Sequence, residues 1–197
     1  MAIKPILFNT EMVRAILDGR KTCTRRLVKP QPDEKYTFPL GFVTDSTEKK
    51  EVGCFGFAAN EYGGSIQYVK PPYRYAPGDI LYVRETWKKA PNGYYYYEDW
   101  QRDDIADVTK WKPSIHMPKE AARIWLKVTD VRVERLQDMT DDDAEAEGCF
   151  DYTSTALGFP DVWDSTIKKS DLDSYGWDAN PWVWVIEFER CEKPEGV

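Results

Sequence analysis

One short segment near the amino terminus concentrates the side chains that could bind an anion. Residues 19–26 read Gly-Arg-Lys-Thr-Cys-Thr-Arg-Arg, so eight residues hold four cations, two hydroxyls and one thiol. Such a segment could bind a nucleotide or another anion, or it could be a solvated basic strand whose charges discourage pairing with other chains. The residue types alone leave both alternatives open.

The elements around this segment determine how its side chains are presented. Apolar residues from Met12 to Leu17 recur at helical spacing, Asn9 or Thr10 can cap the helix, and Gly19 suits the position just past its end. The residues that follow favour a strand, which Pro30 ends. In an extended chain Lys21, Cys23 and Arg25 would face one side and Thr22, Thr24 and Arg26 the other, so Lys21 and Thr24 meet only if the chain bends.

Four stretches of the chain together resemble one known family. They are PILFNTEMVRAILDGRKTCTRR, YAPGDILYVRETW, WKPSIHMPKEAARIWLKVTDVRVERLQDMTDDDAEAEG and NPWVWVIEFER. This combination is similar to the ASCH domain, a relative of the PUA domains. The resemblance implies an α+β fold, namely a small mixed PUA-like β-barrel with flanking short helices and inserted hairpin or loop segments. It also implies a protein that handles RNA, nucleotides or modified nucleosides.

The compact bacterial members that this chain resembles are metal-independent amidohydrolases, which remove the acetyl group from acetylcytidine with a lysine, a threonine and a glutamate. By position in the motif, the resemblance places these roles on Lys21, Thr24 and Glu147. It implies that the lysine activates the threonine hydroxyl, or that lysine and glutamate activate water while the threonine positions the substrate. Glu145 and Asp143 lie close enough in sequence to compete for the acidic role.

The sequence around Glu147 favours it independently of the resemblance. Thr140 is a good N-cap for a short helix, and the acids after it lie where the helix dipole favours negative charge. Glu147 instead lies at the carboxyl end beside Gly148, where the dipole disfavours a carboxylate by roughly 0.3–1 kcal/mol. A nearby cation would offset this cost, and Lys21 is the expected partner.

Further residues are expected to bind substrate or RNA, and they are Arg20, Arg25, Arg26, Arg84 and His116. In the main alternative, a non-catalytic RNA-binding module, Lys21, Arg25 and Arg26 hold phosphate while aromatic side chains stack on bases. His116 is the single histidine and lies between Ile115 and Met117, so a structural role competes with substrate contact. A ribonuclease is a weaker third hypothesis, because the sequence offers no histidine pair or metal cluster.

Charge restricts the class of partner. The net charge is −7, yet residues 1–29 hold seven Lys and Arg against two Asp and Glu, whereas residues 138–197 hold four against sixteen. An acidic chain is a poor candidate for tight non-specific binding to duplex DNA, which depends on neutralising many phosphates. We therefore expect a nucleoside or a short single-stranded RNA as partner, while the oligomeric state stays open.

The cysteines and the hydropathy pattern indicate the compartment. Cys23, Cys54, Cys149 and Cys191 show no paired spacing, and no Cys/His cluster suggests zinc. No segment approaches the roughly 18 apolar residues of a membrane span, and the first residues lack the layout of a signal peptide. We expect a reduced, cytoplasmic protein without metal or other cofactor, and no membrane partner.

The chain length fits one domain with insertions. We predict a single ASCH domain over residues 1–192, insertions at about 30–72 and 88–118, and a loose tail at 193–197. The first insertion is expected to hold one hairpin, and compact family members lack it. With these insertions, the chain resembles the longer ASCH proteins carried by phages and prophages.

Several local patterns predict individual elements. Pro77-Gly78-Asp79 predicts a turn into a strand that carries Arg84 and Glu85, and Asn92-Gly93 predicts a hairpin before the tyrosine run. In the longest strand, apolar residues occupy even-numbered positions up to Val128 and odd-numbered positions from Val131. This change near Thr129-Asp130 predicts a bulge. Phe159-Pro160 is expected to begin a second helix. Trp182, Trp184, Ile186 and Phe188 share one strand face, which is expected to be core or insertion-facing, with base stacking as the alternative.

Overall fold

The computed structural model describes residues 1–100, 110–149 and 155–196, and they form a mixed α+β protein. The strands are β1 (Ile3–Leu7), β2 (Cys23–Leu27), β3 (Phe38–Phe42), β4 (Phe55–Asn60), β5 (Gly63–Val69), β6 (Ile80–Arg84), β7 (Trp87–Ala90), β8 (Gly93–Tyr96), β9 (Trp125–Arg135) and β10 (Trp182–Cys191). The helices are α1 (Thr10–Leu17), α2 (Tyr97–Trp100), α3 (Asp141–Ala146), α4 (Thr155–Ser165) and α5 (Leu172–Tyr175). The α+β class expected from the sequence is confirmed, while closure of the strands into a barrel stays a prediction.

The chain divides into two compact units, each assembled from separate segments. The first unit comprises Met1–Thr22, Pro77–Thr129 and Phe188–Val197, and the second comprises Cys23–Ala76 and Asp130–Glu187. Strands β9 and β10 therefore contribute residues to both. The prediction of a single domain over residues 1–192 stays a prediction.

The first unit is organised around β6. Strand β1 pairs with it in parallel, and the beginning of β9 pairs with it antiparallel through Ile80–Lys127, Leu81–Leu126 and Tyr82–Trp125. Helix α1 begins as expected, because the Asn9 side chain accepts the backbone N–H of Met12. The turn before β6 and the β7–β8 hairpin are also confirmed, with Gly78 at φ +85° and with Ala90 paired to Gly93. A core of Ile80, Trp87, Met117, Ala121, Ala122 and Trp125 lies beneath them.

The second unit contains β2 antiparallel to β10, and its core is Leu136, Ala144, Cys149, Phe159, Trp163, Val183 and Val185. The insertion at 30–72 forms a three-stranded antiparallel sheet in the order β3-β4-β5. The prediction of one hairpin was therefore incomplete, because it did not include β3. The sequence of β3 contains Pro39 and Gly41, two residues that weaken a strand pattern.

The tryptophan stripe of β10 packs against the inserted sheet. Trp184 is fully buried and lies 5.9 Å from the Phe42 ring and 6.0 Å from the Phe55 ring, centroid to centroid. Trp182 lies 5.1 Å from Phe57. The insertion-facing alternative is confirmed. The base-stacking alternative is wrong for this strand, because Trp182 and Trp184 are buried.

Two other expectations need correction or refinement. The second helix, α4, begins at Thr155, so Pro160 lies inside it and not in its first turn. Strand β9 is continuous from Trp125 to Arg135. The buried positions change from even-numbered to odd-numbered at Thr129–Asp130, where the chain passes from the first unit to the second.

Within the described residues, no helix is long and apolar enough to cross a membrane. The four cysteines are free thiols.

Candidate functional site

Glu147 lies at the carboxyl end of α3, as expected. Thr140 caps the helix in a reciprocal arrangement, in which its hydroxyl accepts the backbone N–H of Asp143 and its own backbone N–H donates to the Asp143 carboxylate. Glu147 is the C-cap residue and Gly148 follows with φ +89°. The Glu147 side chain is buried, whereas Glu145 is exposed. Burial therefore distinguishes the two glutamates that compete in the sequence.

Arg25 is the cation that lies beside Glu147. Glu147 Oε1 accepts the backbone N–H of Arg25 at 2.5 Å, and it lies 3.6 Å from Arg25 Nη1. Sequence reasoning expected a cation here to offset the helix dipole, and it expected Lys21 in that role. Within the second unit, this contact is made by Arg25, which follows Thr24 on β2. The pairing of Lys21 with Glu147 stays a prediction.

The Arg25 guanidinium is fully buried among carboxylates of the second unit. Its Nη2 donates to Glu134 at 2.7 Å and lies 3.2 Å from Asp143 Oδ1. Burial by itself would lower the pKa of Arg25, but the charges of Glu147 and Glu134 outweigh it and raise that pKa. Arg25 Nε has no hydrogen-bond partner among the described residues. This arginine therefore orients acidic side chains and is not presented to solvent for phosphate binding.

A second arginine completes the charged cluster. Arg132 on β9 pairs with Glu187 and lies 3.2 Å from Glu134 Oε2 and 3.6 Å from Asp143 Oδ1. Asp143 thus bridges both guanidinium groups. Burial acts to raise the pKa of Asp143, but hydrogen bonds from Thr140 and the charge of Arg25 outweigh it and lower that pKa.

Sequence reasoning missed Arg132 and Glu134, although a signal was present. Asp130, Arg132 and Glu134 alternate along β9 and therefore share one strand face. Alternating opposite charges on one face of a long strand indicate a charged partner on a neighbouring element. That partner is Arg25 together with the amino-terminal turn of α3.

The other two residues of the expected triad are also buried. Thr24 lies on β2, opposite Ile186 of β10, and only 4% of it is exposed. Lys21 belongs to the first unit, where its backbone N–H donates to the Ala15 carbonyl at 3.0 Å and its ammonium lies 5.5 Å from the centroid of the Phe8 ring. Lys21 is 3% exposed. A lysine buried to this degree is uncommon outside functional sites or ion pairs.

The remaining expected binding residues have different surroundings. Arg20 is half-buried and donates to Asp18 at 3.0 Å. Arg26 is half-buried, and burial lowers its pKa although Glu147 and Tyr75 oppose that effect. Arg84 donates to the backbone carbonyls of Met117 and Ile115, so it braces the turn that carries the exposed His116. Glu85, the next residue, accepts hydrogen bonds from both Nε and Nη2 of Arg123.

Comparison with known proteins gives one structural likeness. No family model and no curated protein matches the chain. A solved structure, the ASCH domain from Lactobacillus crispatus JV V101, is similar over 96% of this chain and 79% of that chain, with a TM-score of 0.45 and 12% sequence identity.

Proposed function

We propose that this protein is an ASCH-domain amidohydrolase that binds a nucleoside or RNA and removes the acetyl group from an N-acetylcytidine-type substrate. The motif over residues 19–26 supports the proposal by resemblance. The burial of Lys21, Thr24 and Glu147 supports it physically. Buried polar side chains in the described residues are few, namely Lys21, Thr24, Arg25, Asp79, Glu85 and Glu147. Burying such groups is costly, so they are retained where they serve structure or chemistry.

The observation that carries the proposal is the fixed, buried carboxylate of Glu147. Arg25 holds it through a backbone N–H and a nearby guanidinium. The competing acids differ, because Glu145 is exposed and Asp143 is engaged by Thr140 and by two arginines. A group that must accept and return a proton benefits from such preorganisation.

The proposed chemistry assigns one role to each residue. The Lys21 amine takes the proton of the Thr24 hydroxyl, whose oxygen attacks the acetyl carbonyl. The carbon–nitrogen bond then breaks, and Glu147 passes the proton taken up by Lys21 to the departing exocyclic amine of cytidine. Water, activated by the same groups, hydrolyses the acetyl ester on Thr24 to acetate and restores the hydroxyl.

In a variant of this mechanism Thr24 only positions the substrate, and Lys21 with Glu147 activates water directly. The two routes differ in whether an acetyl group becomes attached to Thr24. Rapid acid quenching followed by peptide mass spectrometry would detect acetylation of the peptide that contains Thr24 in the first route and none in the second.

Burial disfavours the non-catalytic alternative, in which Lys21, Arg25 and Arg26 hold phosphate. An open basic groove requires exposed cations, yet Lys21 and Arg25 are buried and Arg25 is engaged by three carboxylates. Of the three cations assigned to phosphate, only Arg26 is partly exposed.

The decisive experiment is to incubate the purified protein with acetylcytidine and to follow cytidine release by chromatography. Lys21→Ala and Thr24→Ala should each abolish turnover. Thr22→Ala is a matched control, because Thr22 is an exposed hydroxyl two residues away and should leave the rate unchanged. Absence of turnover by the folded parent would refute the proposal.

A further inference from the structure

The β7–β8 hairpin carries an unusual density of aromatic and basic side chains. Its strands read Trp-Lys-Lys-Ala and Gly-Tyr-Tyr-Tyr, and the register pairs Lys88 with Tyr95 and Lys89 with Tyr94. Lys112 extends the pairing through reciprocal backbone hydrogen bonds with Trp87. Aromatic rings interleaved with lysines on a small sheet are the composition of surfaces that bind single-stranded nucleic acid.

The hairpin and α2 together form a pocket, here called the hairpin pocket. It has a volume of about 450 Å³ and is lined by Tyr94, Tyr95, Tyr96, Asp99 and Trp100. The Tyr95 and Trp100 rings lie 6.0 Å apart, centroid to centroid, at 59° to each other. Both residues are half-buried, so part of each is accessible from solvent. All of these residues belong to the first unit.

Other aromatic faces of the hairpin already contact cations of the protein. Arg123 lies over Tyr96 at 4.1 Å, Lys112 over Trp87 at 5.0 Å and Lys89 over Tyr94 at 5.6 Å. Tyr95 and Trp100 instead contact each other. They are therefore the two rings of the hairpin pocket that are best placed to stack on a ligand.

The charges around the hairpin pocket favour an anionic ligand over a cationic one. Among the described residues, its two acidic neighbours are compensated, because Asp99 accepts two hydrogen bonds from Arg123 and Glu98 pairs with Arg14. Lys88 lies opposite Tyr95 in the hairpin register, while Lys89 and Lys112 lie over the Tyr94 and Trp87 rings. A cationic ligand would meet these lysines as like charges, whereas a planar ring attached to a phosphate would find stacking and charge attraction together.

We infer that the hairpin pocket is a binding site for single-stranded RNA, in which Tyr95 and Trp100 stack on a nucleobase and Lys88 contacts the adjacent phosphate. None of these residues is among those proposed for hydrolysis. Stacking is tolerant of base identity, so the site holds a strand without reading its sequence. The insertion at about 88–118 thereby gains a role that a compact nucleoside hydrolase would not need.

The test measures binding of a fluorescein-labelled RNA of about six nucleotides by anisotropy at low salt, with the full chain. Tyr95→Ala and Trp100→Ala should each weaken binding about 10-fold or more, since a stacked base contributes that much. Tyr95→Phe keeps the ring and should bind as the parent does. Tyr62→Ala removes an equally large ring that is 89% exposed on the inserted sheet, and it should change nothing.

The salt dependence tests the phosphate contact. Lys88→Ala should reduce the slope of log affinity against log salt by about 0.7, the value for one contact with a single strand. Binding that is unchanged in Tyr95→Ala and Trp100→Ala, or no binding by the parent, would overturn the inference. Saturable binding of tetramethylammonium that competes with the RNA would also overturn it, in favour of a cation site.

The result of the RNA-binding test can be distinguished from the result of the acetylcytidine assay. Lys21→Ala should retain RNA binding, and Tyr95→Ala should retain turnover of free acetylcytidine. If acetylcytidine is not a substrate but Tyr95-dependent RNA binding is observed, the proposed hydrolysis fails and the binding site stands.

Discussion

The Glu147 carboxylate accepts a hydrogen bond from the backbone N–H of Arg25, with 2.5 Å between Oε1 and the nitrogen. This bond ties the C-cap residue of α3 to the middle of β2. It places a buried carboxylate next to the strand that carries Thr24, and the guanidinium of the same arginine lies 3.6 Å from the same oxygen. The charge that the helix dipole disfavours is thereby compensated within the second unit.

The first prediction distinguishes the two glutamates of α3. Glu147→Gln keeps the shape of the side chain but cannot exchange the proton, and it should reduce kcat for acetylcytidine about 100-fold or more, the usual range for loss of an acid–base group. KM should change little. Glu145→Gln is the matched control, because Glu145 is exposed two residues earlier and should leave both constants unchanged.

Circular dichroism and a urea midpoint for each variant separate loss of chemistry from loss of folding. A Glu147→Gln enzyme that is folded and fully active would remove Glu147 from the reaction. Loss of activity in Glu145→Gln alone would transfer the acidic role to that residue.

How much of the site was accessible from sequence depends on the kind of interaction. The assignment of Lys21, Thr24 and Glu147 to the candidate site rests on a family resemblance in local motifs, and helix capping adds a second local argument for Glu147. The role of Arg25 did not, because its carboxylate partners are Glu134, Asp143 and Glu147, all more than one hundred positions away in the sequence. A strand residue's charge partner is set by which element packs against it, and the sequence pattern does not contain that information.

The second prediction concerns the stability of the charged cluster. Arg25→Ala should lower the free energy of unfolding by about 3–5 kcal/mol, because it leaves neighbouring carboxylates without their buried cation. Urea unfolding followed by fluorescence measures the change. Lys50→Ala is the control, since Lys50 and its partner Glu48 are 75% and 62% exposed and such a pair contributes under about 1 kcal/mol. An Arg25→Ala protein as stable as Lys50→Ala would show that the cluster is not held by this arginine.

The third prediction follows from the lowered pKa of Asp143. A carboxylate whose pKa is depressed on folding stabilises the protein above its ordinary pKa of 3.8, and that contribution is lost as pH falls through the folded value. The parent should therefore exceed Asp143→Asn in free energy of unfolding at about pH 7, and the difference should shrink below about pH 4.

Urea titrations from about pH 7 to pH 3 measure this difference, with Asp142→Asn as the control because Asp142 is the exposed neighbour. A difference between the parent and Asp143→Asn that stays constant across this range would contradict the assignment. It would mean that Asp143 contributes through its shape or capping geometry and not through its charge.

Element prediction succeeded where capping and turn chemistry are local. Asn9 and Thr140 as helix caps and the Gly78 turn were all recognisable. The inserted sheet was underestimated because the residues 38–42 contain a proline and a glycine, and their strand form depends on pairing with β4. The burial of β10 on both faces also depends on what packs against it, which an alternating pattern does not specify.

The last prediction tests whether the inserted sheet is part of the core of the second unit. Trp184 is fully buried and contacts the Phe42 and Phe55 rings, so Trp184→Ala should cost about 3–5 kcal/mol of unfolding free energy. Trp184→Phe keeps an aromatic ring and should cost clearly less. Tyr62→Ala, on the exposed turn between β4 and β5, should fall within about 0.5 kcal/mol of the parent. If Trp184→Ala were as stable as Tyr62→Ala, the sheet would be an appendage whose aromatic contacts contribute little, and the insertion could be removed without unfolding the unit.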